Sequence, residues 1–221
     1  MTQQVSETCL NCAGRCCVTY IVPVTGYDIW RISRAQQLAP LVFVQREPEP
    51  PSSATGFLLR PGGPTYGTAL RHQPVRHNQR PCLFLMHLKD GYRRCGIYAD
   101  RPRACQTYPL ELREQRVALR NDPICGAGSW HGATEQAAWR QLLQHQAWEW
   151  EVYGVVVRAW NEGIAALAPE DGRIFEQYLD YLLHAYDALA EAGIAPGAQP
   201  ESFAERLRAV ASAVLRSQAA S

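Results

Sequence analysis

Four of the chain's eight cysteines, Cys9, Cys12, Cys16 and Cys17, crowd into the single stretch "CLNCAGRCC". Cys9 and Cys12 have the spacing at which a tight turn brings two thiolates onto one metal ion or cluster. Cys16 and Cys17 are neighbours, and adjacent side chains usually diverge. The pair is therefore expected to serve two metals, or different irons of one cluster, more readily than a single tetrahedral zinc. A disulfide between them is a strained alternative. The other four cysteines, Cys82, Cys95, Cys105 and Cys125, are single and far apart. Cys95 and Cys125 each precede a glycine, where backbone amides can point at sulfur, and Cys105 follows the helix start Arg101-Pro102. Cys82 lies in an apolar run and could equally be a small buried hydrophobe. Four thiolates complete either a zinc site or an iron–sulfur cubane, so eight divide into two four-ligand sites if all take part.

Other chemistry is thinner. His131, six positions after Cys125, is the histidine nearest a candidate ligand. His72, His77, His145 and His184 read as surface or helix-edge residues, and His87 could face either way. Arg101 and Arg103 beside Cys105 could hold an anion or balance thiolate charge, or simply pair with Asp100 or Glu111. The chain has no glycine-rich dinucleotide turn, phosphate loop, Gly-x-Ser-x-Gly elbow or His-Glu-x-x-His helix, so motifs assign no reaction.

Composition narrows the setting. The 221 residues suffice for one sizeable domain with a buried core, and 47% hydrophobic with 19% charged residues is the balance of an ordinary folded protein. A net charge of +1 gives no global pull toward nucleic acid or membrane surfaces. The opening "MTQQVSETCL" has neither the basic start nor the apolar run of a signal peptide, and no window is apolar enough for a transmembrane helix. The expected address is the cytoplasm, where clustered thiols stay reduced and more often bind metal or do redox chemistry than form bridges.

The elements that must position these thiols follow from pattern. "VTYIVPV" at 18–24 reads as a strand. Thr25 with Asp28 three positions on marks a helix start, with Ile29 and Ile32 as its buried stripe. Residues 46–64 read as loop around a short "GFLL" strand. "CLFLMHLKDGYRRC" predicts a hairpin turning at Asp90-Gly91. In "ADRPRACQTYP", Asp100 can cap a short helix that Pro102 opens and that stops before Pro109. "LELREQRVALR" predicts a second small hairpin. From Thr134 the period becomes helical: Trp139, Leu143, Trp150, Tyr153, Val157, Trp160, Ile164 and Leu167 form a stripe that only Gln146 breaks. A second helix is expected on Ile174, Tyr178, Leu182, Ala185 and Leu189 with Gly193 as its stop, and a last one on Phe203, Leu207, Val210 and Val214. The fold class is α+β: a small cysteine-rich metal-binding half with short hairpins and helices (1–130), followed by a helical C-terminal half (131–221) packed on it.

In order, "CLNCAGRCC", "CLFL" and "CGIYADRPRACQTYP" resemble the YkgJ-type cysteine-cluster family, whose members are described as zinc- or iron-chelating domains. The resemblance covers roughly residues 9–125 and falls on all eight cysteines except Cys125, together with Ile97, Tyr98, Arg101, Pro102, Tyr108 and Pro109. Three residues separate Cys12 from Cys16, where the short form of the family has two. Gln106 replaces a frequent arginine, and Tyr108 a phenylalanine. The resemblance implies metal chelation and no settled reaction. Together the residues point to a cytoplasmic protein holding iron, as an iron–sulfur cluster, on Cys9, Cys12, Cys16, Cys17, Cys82, Cys95, Cys105 and Cys125. One alternative is a structural zinc module with the helical half as an interaction surface. Another is an iron–sulfur enzyme related to flagellin lysine methylases, which share a similar cysteine pattern. The expected partner is the metal ion or cluster, without nucleic acid or membrane.

Overall fold

The computed structural model describes residues 14–74, 80–89, 92–121, 124, 136–193 and 198–217. The helical period that begins near Thr134 becomes a 30-residue helix, α5 (Gln136–Ala165); Thr134 itself lies outside the described residues. Two more helices follow, α6 (Phe175–Glu191) and α7 (Ala204–Ser217). Gly193, at φ 64, closes the turn after α6 as expected of a glycine beyond a helix end. Ile174 departs from expectation. It stands before α6 and is 62% exposed, because the buried face starts only at Tyr178.

Among the described residues four short helices and three small antiparallel sheets precede these. In chain order they are α1 (Arg15–Thr19), α2 (Gly26–Gln36), α3 (Pro40–Phe43), β1 (Val44–Pro48), β2 (Phe57–Leu58) and β3 (Thr65–Leu70). Then come β4 (Leu85–His87), β5 (Arg93–Cys95), α4 (Arg103–Thr107), β6 (Leu110–Arg113) and β7 (Arg116–Leu119). The first sheet has the order β1-β3-β2, and each of the other two is a single hairpin. Sheets in the first part and long helices in the second make the fold α+β.

Thr25 and Asp28 cap α2 reciprocally: the Asp28 amide donates to Thr25 Oγ1 (3.2 Å) and the Thr25 amide to Asp28 Oδ2 (3.3 Å). Both predicted hairpins form. The Asp90-Gly91 turn of the first lies outside the described residues, while Glu114 and Gln115 turn the second with positive φ. Three expectations need correction. Residues 18–24 are not a strand: α1 takes Val18 and Thr19, and only an isolated bridge joins Pro23 to Ala69. Pro23 has no amide to extend the ladder. The chain from 46 is not loop until Pro48, because β1 pairs Arg46 with Thr68 and Glu47 with Gly67. Asp100 caps nothing; it sits in a 3₁₀ turn before α4.

The core is aromatic and joins sheet to helices. Tyr178 stacks on Phe57 with ring centroids 3.9 Å apart, and its hydroxyl lies 3.0 Å from that of Tyr153. Tyr153 in turn meets Thr68 Oγ1 at 2.9 Å, and Tyr181 donates to the Val156 carbonyl at 2.8 Å. The hydroxyls of Thr68, Tyr153, Tyr178 and Tyr181 thus each have a partner, as burial in an apolar layer requires. Trp160 Nε1 donates to the Leu58 carbonyl (2.7 Å) and Asn161 Oδ1 accepts from the Leu58 amide (2.8 Å), which fastens β2 to α5. Helix α2 approaches α6 so closely at Gly26 that a Cβ there would lie 2.3 Å from the Tyr186 ring.

Candidate metal centre

Five of the eight cysteines lie among the described residues, and all five line one cavity of about 990 Å³. They are Cys16 and Cys17 on α1, Cys82 before β4, Cys95 at the end of β5 and Cys105 on α4. Cys9, Cys12, Cys125 and His131 lie outside the described residues. His72 and His87 do not line the cavity.

Local structure explains how distant positions meet. Gly14 takes the left-handed conformation (φ 69) that starts α1, and its Cα approaches Leu85 and Arg93 of the hairpin. The Cys82 amide donates to the Cys17 carbonyl at 2.7 Å, so the Cys82 segment is bonded directly to α1. Leu85 pairs with Cys95 across β4 and β5, which brings Cys95 back beside Cys82. Backbone amides at the two turns point at sulfur, that of Phe84 at Cys82 and that of Ile97 at Cys95. The second is the arrangement the Cys95-Gly96 sequence predicts.

The adjacent pair does not diverge. Cys16 Sγ and Cys17 Sγ are 3.9 Å apart and remain free thiols. A tetrahedral metal with metal–sulfur bonds of about 2.3 Å spaces its sulfurs by about 3.8 Å. The separation of the pair is close to that value. Among the described residues, no group of three His, Cys, Asp or Glu side chains is close enough to hold a metal ion. The chamber gathers the described thiols, with Cys16 and Cys17 at 3.9 Å.

Their protonation follows from this crowding. The hydrogen bond between the two thiols lowers Cys16 to about 7 and, with burial, raises Cys17 strongly. Burial pushes Cys82 up to about 11 and raises Cys95 and Cys105, with negative charge on neighbouring sulfurs adding to it. Arg101 opposes this at Cys16 and Cys95. A bound cation would supply the positive charge these thiols lack and displace their protons. The donor set therefore fits a soft, thiolate-binding metal.

The arginines divide. Arg101 lies over the Tyr98 ring (4.0 Å to its centroid) and faces the thiols. Arg103 turns away into a buried polar network, donating to Glu149 Oε1 (3.0 Å) and to Gln106 Oε1 (2.8 Å). Neither takes the anticipated partners: Asp100 pairs with Arg31, and Glu111 with Arg113.

Two carboxylates that the motifs do not single out fix the Cys105 helix. Asp28 accepts the Arg103 amide on Oδ1 at 2.9 Å, capping α4 from 75 residues away in place of Asp100. Glu149, 1% exposed on α5, holds the Arg103 guanidinium, and His145 Nε2 lies 3.2 Å from the same oxygen. Burial raises the pKa of both carboxyls, and the neighbouring arginines offset part of that rise. Gln146, which interrupts the apolar stripe, accepts from Thr107 Oγ1 at 2.9 Å. Polar residues at 146 and 149 within a buried helical face were the available signal.

A family model described as "CxxCxxCC: Putative zinc- or iron-chelating domain" matches residues 8–126, a span that holds all eight cysteines. No curated protein matches the chain, and no solved structure does.

Proposed function

The chain belongs to the CxxCxxCC family of zinc- or iron-chelating domains, and from that premise we propose that it is a cytoplasmic protein holding iron as an iron–sulfur cluster. The ligands are Cys9, Cys12, Cys16, Cys17, Cys82, Cys95, Cys105 and Cys125. The observation that carries this is the number of thiols on one chamber: five line it, and a single tetrahedral ion takes four. A fifth calls for a second four-ligand site, and an all-thiolate shell is the one that iron–sulfur clusters take. A reducing compartment keeps the thiols available. Among the described residues no helix is long and apolar enough to cross a membrane.

A second reading, structural zinc, is favoured by the 3.9 Å separation of Cys16 and Cys17, which suits one ion bound by both. The helical part would then act as an interaction surface. Anaerobic purification with absorption spectra and iron, sulfide and zinc analysis separates the two. Brown protein containing iron and sulfide is expected; colourless protein with stoichiometric zinc overturns the cluster. Cys16→Ala and Cys17→Ala should each lower metal content, and Cys82→Ala doing so removes the buried-hydrophobe account of that residue.

A further inference from the structure

The chamber is larger than a metal centre needs, and its charge is one-sided. At about 990 Å³ it stands at the top of the ~300–1,000 Å³ range of sites that enclose small organic molecules. Cys17, Cys82, Cys95 and Cys105 all feel the charge of Cys16, so the thiols are grouped rather than spread over the whole lining. Much of the remainder is apolar, including Leu85, Ile97, Leu110, Leu143 and Trp150. Five guanidinium groups, those of Arg15, Arg93, Arg94, Arg101 and Arg120, line the same space against one carboxylate, Glu111, which Arg113 already engages. Among the described residues none of these five makes an ion pair with a carboxylate, although Arg31, Arg34, Arg103, Arg113, Arg158 and Arg208 all do. The whole chain carries only +1, so this concentration is local.

We propose that the chamber binds a small amphipathic organic anion beside the metal centre. Its apolar body lies against Leu143 and Trp150, and its carboxylate or phosphate group meets Arg93 and Arg101. Arg101 is the better oriented, because its stacking on Tyr98 fixes the guanidinium plane. A planar guanidinium with several donors suits carboxylate and phosphate alike. An apolar wall ending in unpaired cations is the lining such a molecule requires. The proposal rests on the metal reading for what lies next to the ligand, and it makes the site more than a structural one. The simpler account, that the arginines only balance thiolate charge, needs no ligand and predicts no preference for anions.

The test uses the full-length, metal-loaded protein and ligand-observed NMR titrations with 4-phenylbutyrate, phenyl phosphate and neutral 4-phenylbutanamide. Both anions should bind, the amide at least tenfold more weakly, and the tighter anion identifies the headgroup. Arg93→Gln should weaken anion binding at least tenfold with metal content unchanged. Ala147→Trp, at an exposed position on the chamber wall, should block the apolar part without unfolding the chain. Absence of anion binding to the metal-loaded protein overturns the proposal, as does equal affinity for the amide. Binding that neither variant alters overturns it too, as does weakened binding in Arg93→Gln that only accompanies loss of metal. Anion binding by a chain isolated without metal would overturn the metal reading and leave this one standing.

Discussion

Between Cys82 and Leu119 no element among the described residues exceeds five residues, whereas α5, α6 and α7 run for 30, 17 and 14. The largest fully buried side chains follow the same division. Trp160, Tyr153, Tyr178, Tyr181, Ile164, Leu179 and Leu182 sit on α5 and α6, and none of that class lies between Cys82 and Leu119. The thiol-bearing stretch offers Cys82, Leu85, Ile97 and Leu110 to the interior, and α1 buries nothing fully. Isolated helices of five residues are unstable in water. The long helices thus supply most of the large side chains of a core they share with the first sheet, while the thiol-bearing region leans on cross-links: backbone bonds from Cys82 to α1, carboxylates from α2 and α5 and, on the proposed function, a metal.

The strongest way to break that comparison is to remove the metal. Stripping it from the anaerobic protein should abolish amide-exchange protection from Cys82 to Leu119 while the far-ultraviolet helical signal of α5–α7 largely persists. Equal protection with and without metal would show that the thiol-bearing region folds on packing alone. The converse experiment strikes the aromatic core. Trp160→Ala should cost about 3–5 kcal/mol in denaturant unfolding, yet leave metal content per folded molecule unchanged. A loss of metal in proportion to stability would mean the two regions are one energetic unit.

The buried network that joins them is tested by Arg103→Ala. It leaves the buried Glu149 without its arginine partner next to Asp28, and the expected loss is about 3 kcal/mol, read by denaturant melts, with a weakened grip on the Cys105 helix read by metal retention. The smallest effect concerns pH. Glu149 faces Arg103, His145, Arg31 and Asp28, and burial raises its folded pKa above the ordinary 4.5. Below that value both states are protonated and nothing is lost. As pH rises through it the unfolded chain ionises first, so stability falls until the folded pKa is passed. Glu149→Gln lacks this term, and its stability relative to wild type should increase with pH across that window. A pH-independent difference would show that the Arg103 contact fully compensates the burial.

Much of this was legible along the chain. The capping pair Thr25 and Asp28, the two hairpins, the arrest of α4 before Pro109 and the buried stripe from Leu143 to Ile164 all depend on neighbours within a few positions. The strand that the pattern predicts at 18–24 does not form, for a tertiary reason: β-forming residues there find only the Pro23–Ala69 bridge. Asp28 shows the same limit more sharply. Its local role as a cap was readable, but its second oxygen serves the Arg103 amide, which no local pattern connects to it.

By itself the sequence determined that eight thiols, four of them clustered, belong to a metal-chelating family, and where the chain changes from short elements to long helices. Only the tertiary structure decided that Cys82, Cys95 and Cys105 share a chamber with Cys16 and Cys17. It alone turned that adjacent pair inward to 3.9 Å and surrounded them with unpaired arginines and an apolar wall. Spacing fixes what neighbouring residues can do within one turn or one strand. Which distant side chains face one another is set by how the elements bury their apolar faces, and that is a property of the whole packed molecule.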